Sequence, residues 1–195
     1  MKLAIGDQCQ FWASKFQPPH SEFNTMARPK IHLEKEPRDR QLERLALILV
    51  SVAVAVPLFA YGQLPETIPI HFNSRGEPDG FGPKMVIWFL PALGGALYLA
   101  LMGINRSPES FNYTVPITEE NAREQYRIAT RMIRWVNMLI QAVFVFLTVA
   151  IVMVALGRWQ GLGRWFLPVF LVTFFGVIGY FVYISQKNAS NKEDR

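Results

Sequence analysis

Four uninterrupted apolar runs divide the chain. Residues 45–65, 85–105, 135–157 and 165–186 each hold 21 to 23 residues without a single Asp, Glu, Lys or Arg. A helix rises about 1.5 Å per residue, so about 20 residues cross the roughly 30 Å hydrocarbon layer of a bilayer. Four charge-free windows of that length predict an all-α membrane protein with four transmembrane helices, and the lipid bilayer as its first partner. Trp88, Trp135, Trp159 and Trp165 fall near the ends of these runs, where an indole buries its ring and hydrates its N–H.

The polar segments between the runs differ in kind. Residues 1–43 mix proline, charge and aromatics without a sustained period and read as a disordered cytoplasmic arm, within which Met26 is an alternative start to Met1. Residues 106–134 are better patterned. Thr118, Glu119 and Glu120 offer a capping hydroxyl followed by two acids in a first turn. Beyond them Ala122, Tyr126, Ala129 and Ile133 recur at helical spacing, with Arg123, Glu124, Arg127, Arg131 and Arg134 covering much of the rest. The pattern predicts a basic amphipathic helix at the membrane surface that leads into the third span, its arginines meeting anionic headgroups. Residues 187–195 form a short tail.

Charge then sets an orientation. Lys and Arg number eight before the first span, two and five in the next two segments, two in the last loop and three in the tail. Sixteen of the twenty thus lie on one set of alternate segments, and the positive-inside rule makes that side cytoplasmic, with both termini. The net charge of +5 carries no basic stripe interleaved with aromatics, which argues against nucleic acid as a partner. With Cys9 the only cysteine, no internal disulfide or cysteine metal site can form. The first 29 residues hold no apolar core of a secretory signal, so the first span acts as its own insertion signal.

Polar and special residues inside the spans are few. Pro57 is placed to kink or end the first span, and Pro91 with Gly94 and Gly95 lets the second bend or approach a neighbour closely. Asn137 and Gln141, one turn apart, share a face of the third span. They predict interhelical hydrogen bonding or, on the sharper reading, a hydrated path. In the fourth, Pro168 falls in the first turn, and Gly176 and Gly179 mark a packing face.

The loop at residues 64–84 is denser in turn chemistry than a connector requires. Residues 68–72 alternate weakly as a short strand, with Ile70 and Phe72 on one side and His71 and Asn73 on the other. Residues 73–76 and 78–80 read as two successive turns, stiffened by Pro65, Pro69, Pro78 and Pro83. His71, Asn73 and Asp79, with Lys84 at the end, are the candidate ligand-binding residues. Glu77 adds a carboxylate, yet the spacing fits no zincin or calcium loop, so neither a metal nor another cofactor is expected. With His71 the only histidine beyond the N-terminal arm and no carboxylate within a span, no catalytic pair is expected either.

The motif of Leu64-Pro65, Pro69, His71-Phe72-Asn73, Gly76, Pro78-Asp79-Gly80 and Gly82 to Lys84 resembles the N-terminal domain of unknown function of SdpI-type bacterial membrane proteins. In that family it follows the first transmembrane helix, as it does here, and residues 112–126 resemble a segment of members that lack the full architecture. The resemblance covers about residues 45–135 and implies a unit at 44–105, made of helix one, the outer loop 64–84 and helix two. It is followed by the cytoplasmic segment 106–134 and by helices three and four at 135–186, which lack the recognisable C-terminal domain of SdpI. SdpI is an immunity protein against a secreted peptide toxin and helps hold a repressor at the membrane. The resemblance therefore implies a non-catalytic, multi-pass protein of the bacterial inner membrane that senses or resists an extracellular peptide. A small transporter or accessory subunit, working as a homo-oligomer, and a metal-dependent enzyme of the loop are the alternatives.

Overall fold

The computed structural model describes residues 28–193, with side chains through Ser190; the readings of residues 1–27 and of the last residues lie outside the described part. Four helices follow one another, α1 Pro37–Ala60, α2 Phe89–Ile104, α3 Ala122–Ala155 and α4 Phe166–Glu193. Each carries a stretch long and apolar enough to cross a membrane. Phe59, Leu99, Val172 and Phe175 stand exposed on their outer faces. Large apolar side chains presented all round a bundle are what a lipid solvent permits and water does not. The molecule is thus a multi-pass membrane protein.

The first helix begins earlier than the polar sequence suggested. Residues 37–43 are its first turns rather than part of a disordered arm. Pro37 takes the first helical position, where its missing donor costs nothing, and Glu36 and Asp39 cap reciprocally, the amide of Glu36 donating to Asp39 Oδ2 at 3.1 Å. Pro57 is fully buried and does not end α1, which continues to Ala60 and a 3-10 turn at Tyr61–Gln63. Helix α3 likewise starts at Ala122, four residues past the expected hydroxyl. Thr118 Oγ1 and Asn121 Oδ1 accept from each other's amides at 3.3 and 3.0 Å, so the predicted cap forms one turn before the helix proper.

Helix α3 is the centre, packed against α1, α2, α4 and the small sheet. Its amphipathic start and its membrane stretch are one continuous helix of 34 residues. At its first turns Gln125 Nε2 donates to the Ser185 carbonyl at 3.0 Å while Ser185 Oγ donates back to Gln125 Oε1 at 2.6 Å. At its far end Phe146 stacks on Phe166 with centroids 4.7 Å apart. These contacts run α3 and α4 antiparallel.

Asn137 and Gln141 are buried against α2. Gln141 Nε2 donates to the Gly94 carbonyl and to Asn137 Oδ1, both at 3.2 Å. The pair therefore joins two helices through backbone carbonyls. Gly94 makes room, since a Cβ there would lie 3.2 Å from Gln141 Oε1 and 3.3 Å from Phe144. Gly95 meets nothing within 4 Å. Nor do Gly176 and Gly179, so the expected packing face of α4 packs against nothing within this chain. At the opposite end of the bundle from the described termini, Leu64, Ile68, Ile87, Ile151 and Val152 form an apolar core beneath the loop that joins α1 to α2.

Candidate functional site

That loop is an antiparallel hairpin of β1 Thr67–Phe72 and β2 Pro78–Pro83. The second strand includes Pro78, Asp79 and Gly80, which turn chemistry alone assigned to a turn. Thr67, Ile68 and Pro69 face Pro83, Gly82 and Phe81, whereas His71 faces Gly80 and Phe72 faces Pro78. Ile70 is therefore an extra residue on β1 and Asp79 an extra residue on β2. The two bulges offset each other, so the register at Phe72 is the one Thr67 begins.

Bulges re-aim side chains, and here they overturn the alternation expected from the sequence. A Cβ on Gly80 would lie 2.9 Å from the Cβ of His71, and one on Gly82 would lie 2.9 Å from the Cδ1 of Ile70. Ile70 and His71 thus lie over the same glycine face of β2 instead of on opposite sides. Gly80 is needed because the His71 Cβ occupies the space a methyl would take, whereas at Gly82 the end of the Ile70 side chain can move aside. Asp79, left unpaired between Pro78 and Gly80, still reaches His71, with Nδ1 and Oδ1 2.5 Å apart. The side chains remain 70% and 44% exposed, so the pair faces solvent and not the core. A carboxylate on one ring nitrogen orients the imidazole and presents its Nε2 to whatever approaches.

The other two candidates serve the hairpin itself. Asn73 Oδ1 accepts from the amides of Arg75 and Glu77 at 2.9 and 3.1 Å, and its Nδ2 donates to Glu77 Oε2 at 3.0 Å. Arg75 Nε meets the same oxygen at 3.1 Å. The Asn73 side-chain bond, followed by the charge of Arg75, holds the Glu77 carboxyl below the usual range. Lys84 closes the base. Its amide donates to the Glu66 carbonyl, its Nζ lies 2.9 Å from Glu66 Oε1, and it stands over the Tyr61 ring at 5.1 Å. The structure therefore brings His71 and Asp79 together and places Asn73 and Lys84 in separate structural tasks. Among the described residues no three His, Cys, Asp or Glu side chains gather to hold a metal ion.

The hairpin is fastened at its tip as well. The Leu162 amide donates to the Gly76 carbonyl at 2.8 Å, tying the turn to the link between α3 and α4. Ile70, Phe81 and Met85 remain exposed on this end of the molecule.

A second cluster, at the opposite end, went unseen in the sequence as a unit. Glu36, Asp39 and Glu43 recur at i, i+3 and i+7 on α1, while Arg127, Arg131 and Arg134 recur at i, i+4 and i+7 on α3. Those spacings put each set on one helix face. Arg131 lies 2.7 Å from Glu36 and 3.0 Å from Asp39, and Arg134 lies 2.9 Å from Glu43. Asp39 and Arg134 are 3% and 8% exposed. Arg131 and Arg134 are thus turned to α1, a correction to the expectation that the arginines of this helix meet lipid headgroups. The matching periodicities were the available signal.

A four-helix membrane bundle with a braced, doubly bulged hairpin after its first helix is the class these features define. Residues 47–95, from α1 through the hairpin into α2, match a family described as a domain of unknown function (DUF1648), the domain found in SdpI-like proteins. The chain is also similar to an uncharacterized protein of Archaeoglobus fulgidus, 40% identical over 81 residues that make up 37% of this chain and 44% of that one. The match thus spans less than half of that relative's length. No solved structure matches the chain.

Proposed function

We propose that this protein is a non-catalytic membrane receptor whose hairpin faces out of the cell and recognises an extracellular peptide, so that the cell senses or resists it. The observation that carries this reading is the exposed His71–Asp79 pair, held across the bulged stretch of the hairpin beside exposed Ile70 and Phe81. These two polar groups face solvent, while the side chains of Asn73, Arg75 and Glu77 are bonded to one another within the hairpin turn. A peptide with apolar side chains and a polar backbone complements such a surface. Orientation follows from the sixteen basic residues on the terminal side against four on the hairpin side, which favours a cell membrane with both termini in the cytoplasm. Similarity to the domain of SdpI-like proteins supports immunity as the form the response takes.

The absence of catalysis is part of the proposal. His71 Nδ1 is taken up by Asp79, which orients the ring toward solvent. The transport reading loses its main support, because Asn137 and Gln141 bond the backbone of α2. The test is survival of cells challenged with secreted antimicrobial peptides, comparing wild type with a His71→Ala/Asp79→Ala variant of equal membrane abundance. Protection by wild type that the variant loses supports the reading. Protection by both, or by neither, removes it.

A further inference from the structure

Helix α4 packs on α3 and stands away from α1, leaving a lateral cleft of about 820 Å³ at the end of the bundle that carries the described termini. That volume falls within the roughly 300–1,000 Å³ of ordinary small-molecule sites. Its lining is divided by chemistry. Arg38, Gln41, Arg127 and Arg131 form one end, with Glu124 as the only acid, and an apolar body runs on past Leu45, Trp135 and Val177. Gly176 lies along that body with open space where a side chain would be.

The charges are not all spoken for. Arg131 is held by Glu36 and Asp39 at 2.7 and 3.0 Å. Arg127 is held loosely, 3.4 Å from Glu36 and 3.5 Å from Glu124, and is 40% exposed. Arg38 is exposed and forms no ion pair among the described residues. A cleft between two membrane-crossing helices does not stay empty in a bilayer, because lipid surrounds it. One that places an unmatched arginine at the polar end and an apolar trough below suits an amphiphile with a negative head.

We propose that this cleft is a binding site for one anionic phospholipid, its phosphate held by Arg38 and Arg127 and an acyl chain laid along α4 past Gly176. The bound lipid fills the gap between α1 and α4 and ties the fourth helix, which packs within the chain chiefly on α3, to α1 as well. This site lies at the opposite end from the hairpin and does not depend on what the hairpin recognises.

Native mass spectrometry of the full-length protein in detergent tests it, with added phosphatidylglycerol or phosphatidylcholine of identical acyl chains. Wild type is expected to retain one phosphatidylglycerol, preferred over phosphatidylcholine by about fivefold, the effect of one arginine near the headgroup plane. Arg38→Gln should reduce that preference to near parity. Gly176→Trp, which fills the trough without touching a charge, should abolish retention of both lipids. Gly179→Trp, equally exposed but outside the cleft lining, should retain lipid as wild type does and shows that a bulky ring on α4 leaves the fold intact. Equal retention of the two lipids by wild type, retention unchanged in Gly176→Trp, or a dimer whose partner copy occupies the cleft would each overturn the proposal.

Discussion

The amide of Leu162 donates a hydrogen bond to the carbonyl of Gly76 at 2.8 Å, and through it the link between the last two helices grips the tip of a hairpin that lies between the first two. The fit is close because no side chains intervene. A Cβ on Gly161 would lie 2.1 Å from the Gly76 oxygen, and one on Gly76 would lie 2.8 Å from the Gly163 oxygen. Gly76 and Gly163 also have φ of +79° and +80°, a conformation that L side chains rarely adopt.

Gly161→Ala should therefore push the link away from the hairpin while leaving both elements folded. The lost bond costs about 0.5–1.5 kcal/mol, so hydrogen exchange of the Leu162 amide should quicken by up to about tenfold. Exchange along α2 should not change. Unaltered protection at Leu162 would mean that the loops are not held together by this contact.

The ion pairs joining α1 to α3 should be a major source of bundle stability when broken from one side. Asp39→Asn leaves Arg131 and Arg134, the latter 8% exposed, facing one fewer carboxylate. Removal of one partner from a buried pair costs about 3–5 kcal/mol. Thermal unfolding in detergent should show that loss, and an Asp39→Leu/Arg131→Leu double variant should recover part of it. A near-neutral Asp39→Asn would show that the network is dispensable.

Gln141→Leu should cost no more than about 1–2 kcal/mol, the range for hydrogen bonds between membrane helices, and should leave proton and ion permeability of reconstituted vesicles unchanged. A change in permeability with unchanged stability would restore the transport reading.

The turn at the hairpin tip should weaken in acid. The bond from Asn73 and the charge of Arg75 hold Glu77 below its ordinary value of 4.5. A carboxyl whose folded pKa is depressed stabilises the fold above its unfolded pKa and loses that contribution as pH falls through the folded value. Protection of the Arg75 and Glu77 amides should therefore be constant near neutrality and decline below the ordinary glutamate range. Glu77→Gln should remove that dependence. A decline that persists in Glu77→Gln would assign it to another group.

Helix number, the membrane environment and the hairpin's position could be read from the chain because charge-free runs are one-dimensional signals. The interior role of Asn137 and Gln141 was legible for the same reason. Four features were not. The ion-paired start of α1 looked like a solvated arm, because its acids find their partners some 90 residues away on α3. The second strand was hidden behind Pro78-Asp79-Gly80, whose composition favours turns and whose pairing is set by β1. The His71–Asp79 contact was not legible because it needs the second strand, and the placing of Ile70 and His71 over one face depends on where two bulges fall. The grip of Leu162 on Gly76 is made entirely by backbone, which leaves in the sequence only a scatter of glycines.

The central claim is that the braced hairpin works on the outer face of the membrane. Labelling single cysteines with a membrane-impermeant maleimide on intact cells tests it, in a Cys9→Ser background that removes the chain's only native cysteine. Ser74→Cys, in the hairpin turn, should label before permeabilisation, and Ser190→Cys, near the end of α4, only after it. The reverse pattern would put the hairpin inside the cell and contradict its role in recognising anything beyond the membrane.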